Sequence, residues 1–450
     1  MSMTPTPLTQ ERKKFTMALC AEHLDEAAFL YALSQNILTK PSVPWSNAQQ
    51  FEDRLGAHLN ALSMEGELAI DACQPRTDSS DPGDFYVLAR IACRKNQPGL
   101  IGKMLDNLAL DNEKKIMALG NALIDEAPCH PERVLDILAT HAAPPRLVAR
   151  VAGDARLKHA WPLIALQNNS PDTLAPVLRW AGRIYNTDTV PLLLQSLDHD
   201  DGDVQAEAAL GLLRLGNNQD VINHCRSQNK PMLALGLGGG KSAVSFLMGL
   251  AESGPITRDM LIALGLLGDV SAIPILIDGL GPEDLSESAA QVLELITGAG
   301  IKETIFIPEE IDKKELFRDE LEKLEREGRL FPPGEEPGVI VTRISKNPES
   351  WRGWMDDNSR RFVAGIRYRN GRPCSPECLI KNMQSETLPG LLRQFAHEEM
   401  VIRYKKDFPF GTDRPASFQK QAIQKYEAWA KTADKSYQPG QWYFSGLLMA

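Results

Sequence analysis

The chain lacks any run of about 18 uninterrupted apolar residues, roughly the least that crosses a hydrocarbon core, so no membrane-spanning helix is expected. Its opening residues, MSMTPTPLTQERKK, pass into a charged amphipathic segment and carry neither the apolar stretch nor the small-residue cleavage site of a secretory leader, which predicts a cytoplasmic protein. Paired cysteine spacing is missing as well. Cys20, Cys73, Cys93, Cys129, Cys225, Cys374 and Cys378 are odd in number and scattered, which excludes a disulfide framework and predicts reduced, mostly buried thiols. Nor is there an overall excess of cations: the formal charge of −10 argues against general affinity for nucleic acid, which depends on cations matched to phosphates. The average conceals a division. Residues 340–450 hold 18 Lys+Arg against 11 Asp+Glu, a net +7, which leaves −17 for residues 1–339.

Catalytic signatures are absent too. The chain contains no GxSxG elbow, no paired-carboxylate framework and no Cys–His arrangement at a recognisable spacing. His397-Glu398 begins an HExxH pattern, but Val401 stands where the second histidine belongs. Cys374 and Cys378 lie at helical spacing without the second pair that a zinc site needs, and His23, close to Glu22, Asp25 and Glu26, and His58, close to Asp53 and Arg54, read as hydrogen-bonded structural imidazoles. The expectation is therefore of no catalytic residue, no metal and no cofactor, in a protein that is not an enzyme.

Repetition is what the chain does have. At 450 residues it exceeds the usual single core, and its 43% hydrophobic and 24% charged residues are those of a folded protein. A small-apolar-Gly signature recurs: ALG at 118–120, VAG at 151–153, WAG at 180–182, and ALG at 209–211, 234–236 and 263–265, with glycines 33, 29, 29, 25 and 29 residues apart. The segment LRWAGRIYNTDTVPLLLQSL at 178–197 aligns with LIALGLLGDVSAIPILIDGL at 261–280, placing Val190-Pro191 on Ile273-Pro274. Each unit reads as an apolar helix holding the glycine, a turn rich in Asp, Asn or Gly, and a second helix often opened by proline, which fits a first turn that has no use for its N–H. A glycine inside a helix costs about 1 kcal/mol against alanine, so its repetition implies a repeated reason, most simply the close approach of neighbouring helices. A unit of about 30 residues cannot bury both helix faces alone, so the units stack into an all-α solenoid resembling the short form of the HEAT repeat. The same alignment places GLGGGKS at 236–242 in the turn between two helices. Leu235 occupies the first glycine position of a phosphate-binding loop and no strand precedes it, so the segment reads as an interhelical turn.

Four segments follow from this pattern. Residues 1–80 form a helical N-terminal cap, with amphipathic helices over 9–39 (Phe15, Leu19, Ala27, Leu30, Leu33) and 47–73 (Phe51, Leu55, Leu59, Leu62). The repeat array spans 81–300. Residues 301–338 hold a charged helix (312–329) and the Pro/Gly-rich FPPGEEPG, read as a spacer. Residues 339–450 form a basic, Trp/Arg-rich helical region with helices at 379–404 and 416–431. Within it Trp351, Trp354, Arg360, Arg361, Arg367 and Arg369 interleave aromatics with guanidinium groups and are candidate partner-binding residues, while packing of the tryptophans on the last repeat is the favoured alternative.

Three stretches, EHLDEAAFLYALSQ (22–35), DRLGAHLNALSMEGELAIDAC (53–73) and WRGWMDDNSRRFVAGIRYRNGRPCSP (351–376), with the ALG repeats between them, resemble an uncharacterised bacterial family of HEAT-repeat proteins across nearly the whole chain. Ile70 stands where members of that family usually carry tryptophan. Members tend to be encoded beside type VI secretion spike, PAAR-type tip and adaptor components. The resemblance thus implies a scaffold or chaperone-like accessory that presents a concave solenoid surface to an effector, spike or adaptor protein. An immunity protein that binds a toxin is an alternative. An enzyme such as a bilin lyase or DNA glycosylase relative is a third, although the −17 balance over residues 1–339 opposes DNA at the repeat surface.

Overall fold

The computed structural model describes residues 7–40, 43–108, 112–141, 143–160, 170–309, 316–332, 334, 336–433 and 436–449. The fold is all-α and solenoid-like, with 22 helices and three two-stranded β-ribbons among the described residues. No helix among them is long and apolar enough to cross a membrane. The chain divides into two compact units, Met1–Phe246 with Cys374–Ala450, and Leu247–Pro373. The four consecutive segments expected from composition are thereby corrected: residues 374–450 belong with the N-terminal half of the chain, and the 247–373 unit joins the last repeat helices to the ribbon and to the Trp/Arg segment.

In the first unit, α1 (Pro7–Thr39) packs on α2 (Ala48–Met64), α3 (Glu67–Cys73) and α4 (Pro82–Lys95). Leu24, Ala27, Leu30, Leu55, Leu59 and Leu62 are buried in one core with the residues of α4, whereas Phe15 is 70% exposed and lies off that face. Beyond α5 (Pro98–Asp106) come α6 (Glu113–Glu126), α7 (Pro131–Thr140), α8 (Pro145–Asp154), α9 (Pro171–Arg183), α10 (Val190–Ser196), α11 (Gly202–Leu215), α12 (Asn218–Gln228), α13 (Met232–Gly238) and α14 (Lys241–Ser253), the last containing the boundary between the units. The glycine signatures lie inside α6, α8, α9, α11 and α13, and each of these helices packs on the next. The glycines are there because backbones meet. A Cβ on Gly182 of α9 would stand 2.6 Å from the Cα of Gly211 on α11, and one on Gly153 of α8 would stand 3.2 Å from the Cα of Trp180 on α9.

The unit closes with α20 (Pro376–Gln384), α21 (Gly390–Tyr404), α22 (Ala416–Ala433) and the ribbon β5 (Tyr443–Phe444) with β6 (Leu447–Leu448), labels α15–α19 and β1–β4 falling in the other unit. Their core includes Leu379, Met383, Met400, Tyr404, Tyr426 and Tyr443, and takes in Trp45 ahead of α2. Helix α21 packs on α11 and α13, and α22 packs on α2.

In the second unit, α15 (Arg258–Leu267) carries the last signature and packs on α17 (Glu283–Thr297), where a Cβ on Gly265 would stand 2.5 Å from that of Val292. The expected correspondence between 178–197 and 261–280 extends to local detail. A 3-10 turn precedes both α10 and α16 (Ile273–Asp278), capped by Asn186 on the Asp188 N–H (3.1 Å) and by Asp269 on the Ser271 N–H (3.0 Å). The spacer expected over 301–338 is corrected: β1 (Lys302–Pro308) pairs antiparallel along its whole length with β2 (Gly338–Ile344), and α18 (Arg318–Glu327) lies in the connection. Residues 312–315 of the expected helix lie outside the described residues, as do 333 and 335 of the expected linker. KETIFIP and GVIVTRI carry the β-branched, aromatic composition of strands, but the 29 residues between them hide the pairing from local patterning. Helix α19 (Pro348–Asn358) and the ribbon β3 (Tyr368–Arg369) with β4 (Arg372–Pro373) complete the unit.

Candidate functional site

The Trp/Arg segment of the second unit divides into an inner and an outer set. Trp351 is fully buried and donates its indole N–H to the Ser345 carbonyl at 2.7 Å. Arg367 and Arg369 are also buried, and their forks close the C-terminal end of α15. Arg369 donates to the Gly265 and Leu266 carbonyls, both at 2.6 Å, and Arg367 to those of Leu266 (3.0 Å) and Leu267 (3.2 Å). The last carbonyls of a helix have no intrahelical partner and carry partial negative charge, which explains why two cations are held there. Arg367, Arg369 and Trp351 are therefore corrected from partner-binding candidates to structural residues. Trp354 is half-buried, and Arg360 and Arg361 are exposed, with the Arg361 guanidinium 5.9 Å from the Trp354 ring and 5.8 Å from that of Phe362.

The first unit repeats this device. Arg403 of α21, fully buried, donates to the Gly236 (2.8 Å) and Gly239 (3.1 Å) carbonyls at the end of α13. The GLGGGKS stretch is thus an interhelical turn, as expected: α13 ends at Gly238, α14 begins at Lys241, and the Gly239 N–H is taken by the Leu235 carbonyl at 2.8 Å. In each unit a tight hairpin also seats its two positive-φ tip residues on a helix end. Asn370 and Gly371 donate to the Leu295 and Ile296 carbonyls of α17, while Ser445 and Gly446 donate to the Ile402 and Arg403 carbonyls of α21.

A charged face runs along the first unit. Arg90 and Arg94 of α4, Arg150 of α8, Arg179 and Arg183 of α9 and Arg214 of α11 lie beside the helix contacts that the glycines make, with Arg150 and Arg179 each three residues before their signature glycine. Residues 374–450 supply much of the opposite charge. Glu398 of α21 accepts both forks of Arg214 (2.9 and 2.7 Å), Asp407 accepts Arg156 (2.5 Å) and Tyr185 (2.7 Å), and Arg414 reaches Asp125 of α6 (2.8 Å). This face of the first unit is therefore covered along part of its length. The chain's own C-terminal segment lies against it.

Burial by itself would raise the Glu398 and Asp407 carboxyls. Arg214 and His397 reverse that and hold both far below the usual carboxylate range. Burial would likewise lower the His397 imidazole, but Asp407 and Glu398 push it up. With its Nε2 3.1 Å from the Phe408 carbonyl and its ring stacked on Phe410, His397 belongs to a packed network. His23 and His58 bond each other through their Nδ1 atoms at 2.9 Å, and no group of three metal-ligating side chains occurs among the described residues.

Between α8, α9, α11 and the 394–418 stretch lies a cavity of about 500 Å³ with Arg150, Arg156, Arg179, Arg183, Arg214 and Arg414 in its wall. Sequence reasoning missed it. The only local signal was the arginine three residues before two of the glycines; the acids that meet the arginines come from the far end of the chain.

The other unabsorbed surface is in the second unit. At the far end of the β1–β2 ribbon Phe306 is 49% exposed and Ile340 75%, opposite each other on one face, while Ile307 and Val339 are exposed together on the other. Among the described residues neither edge of this two-stranded ribbon pairs with a further strand, and its apolar tip is exposed on both faces. No known family profile matches the chain, and no curated protein matches it in sequence.

Proposed function

We propose that this chain is a non-enzymatic protein-binding scaffold, an accessory or chaperone-like factor for a type VI secretion effector or spike component. The observation that carries the binding half of this reading is the bare apolar tip of the β1–β2 ribbon, Phe306, Ile307, Val339 and Ile340. Burying such side chains yields about 25 cal/mol per Å² of apolar surface, and the open strand edges offer backbone donors and acceptors to an added strand. The class of partner rests on the resemblance of residues 22–35, 53–73 and 351–376 to the HEAT-repeat family encoded beside secretion components. Because residues 374–450 occupy the arginine face, the ribbon is the preferred contact, with Trp354, Arg360 and Arg361 as exposed candidates in the same unit.

The test is affinity capture of the tagged chain from its native host, followed by mass spectrometry, run in parallel with a Phe306→Ser/Ile340→Ser variant. Recovery of a spike, tip, adaptor or effector protein by the parent chain and its loss from the variant is the expected result. Recovery by both removes the ribbon from the reading, and recovery of no secretion component by either removes the partner class.

A further inference from the structure

The arginines of the first unit's cavity are not equally served. Arg179 is held by Glu207 (2.9 Å), Arg156 by Asp407 (2.5 Å) and Arg414 by Asp125 (2.8 Å). Arg150 makes its hydrogen bonds to neutral groups, the Asn121 side-chain oxygen (2.6 Å) and the Met117 carbonyl (3.1 Å), while its carboxylates, Asp154 and Asp413, stand at 3.9 Å. Arg183 is paired with that same Asp154, so two guanidinium groups share one carboxylate. Arg214, though doubly bonded to Glu398, has a buried Nη1 with no hydrogen-bond partner among the described residues, the nearest carboxylate oxygen being that of Asp407 at 3.6 Å. Burial pulls the Arg150 and Arg183 pKa values below the ordinary arginine range, opposed at Arg150 by Asp413 and reinforced at Arg183 by Arg214. The other acids of the wall are occupied: Glu113 by Arg146 (3.0 Å), Glu207 by Arg179 and Glu398 by Arg214.

We propose that this cavity binds a small soluble molecule through an oxyanion, phosphate or carboxylate, received by Arg150, Arg183 and Arg214. Guanidinium forks match both groups in bidentate geometry, and about 500 Å³ with Phe395 and Phe410 in the wall fits a metabolite-sized body. Asp413, half-exposed on the loop before α22 and 3.9 Å from Arg150, is the wall acid that repels such an anion, standing in for it weakly while the site is empty. This inference is independent of the ribbon.

The experiment titrates the full chain with pyrophosphate and, separately, with citrate, against sodium chloride of matched ionic strength, reading calorimetric heat and the thermal unfolding midpoint. Saturable binding of pyrophosphate, of citrate or of both is expected, and which one binds identifies the oxyanion. Arg183→Gln is expected to weaken binding about tenfold or more, Asp413→Asn to tighten it, and Arg318→Gln, at a 94% exposed side chain in the other unit, to leave it unchanged. Absence of saturable binding up to about 10 mM of either probe overturns the proposal, as does equal affinity in Arg183→Gln. Should the loss of Arg183 unfold the chain, Asp413→Asn decides: tighter binding supports the site, and unchanged or weaker binding overturns it.

Discussion

The arginine face of the first unit and the ribbon tip of the second are opposite solutions to an unfinished surface. Along the face, guanidinium groups are set among packed helices and the chain returns from residues far downstream to pair them, as Glu398 does with Arg214, 184 residues away. At the tip, Phe306 and Ile340 are exposed, and among the described residues no element packs over them. The difference lies in cost. A buried charge without a partner is penalised by several kcal/mol, so it is answered inside the molecule, whereas an exposed apolar patch leaves the fold intact and remains available to another one.

The sharpest way to break the comparison is to unpair the covered face. Glu398→Ala leaves the Arg214 guanidinium buried beside Asp407 alone and is expected to lower stability by about 3 kcal/mol or more in urea unfolding followed by circular dichroism. The corresponding Glu303→Ala in the second unit, which unpairs the more accessible Arg343 (2.7 Å), is expected to cost about 1 kcal/mol or less. Near-equal losses would dissolve the distinction.

The glycines give the next largest effect. Gly182→Ala sets a Cβ 2.6 Å from the Gly211 Cα and should destabilise by about 1–3 kcal/mol, while Gly249→Ala in α14, where a Cβ meets nothing within 4 Å, should stabilise by up to about 1 kcal/mol. Thermal unfolding of the pair reads both signs.

Acid titration sharpens the account of the covered face. Glu398 and Asp407 have depressed folded values, so their contribution is complete above the unfolded carboxylate range near about 4 and is lost as pH falls through the folded values. The raised His397 contributes fully below its ordinary value of about 6.5 and loses that contribution as pH rises through the folded value. Stability should therefore decline at both ends, with Asp407→Asn flattening the acid limb and His397→Gln the alkaline one. The smallest change is expected at the tip. Phe306→Ser/Ile340→Ser should shift stability by no more than about 0.5 kcal/mol while reducing binding of an apolar fluorescent dye. A cooperative loss of folding there would mean that the tip is part of a core.

Much of the helical layout was legible because its causes are local. The glycine step and the prolines at helix starts act within a turn or two of the chain, and each appears where the pattern put it. The close approach inferred from the glycines was also met, at Gly182 with Gly211 and at Gly265 with Val292. The candidate site was legible only in part. Trp351, Arg367 and Arg369 share a composition with Trp354, Arg360 and Arg361, yet the first three are internal and the others are not.

By itself, then, the sequence determined an all-α, solenoid-like chain, since periodic apolar residues and helix-end signals specify local structure wherever they occur. Only the tertiary structure decided that KETIFIP pairs with GVIVTRI, that Arg369 and Arg403 close helix ends, and that residues 374–450 answer the charges of the array. Those outcomes depend on which distant segments come within hydrogen-bonding reach. A guanidinium group reads the same in the sequence whether it meets water, a carboxylate or the last carbonyls of a helix.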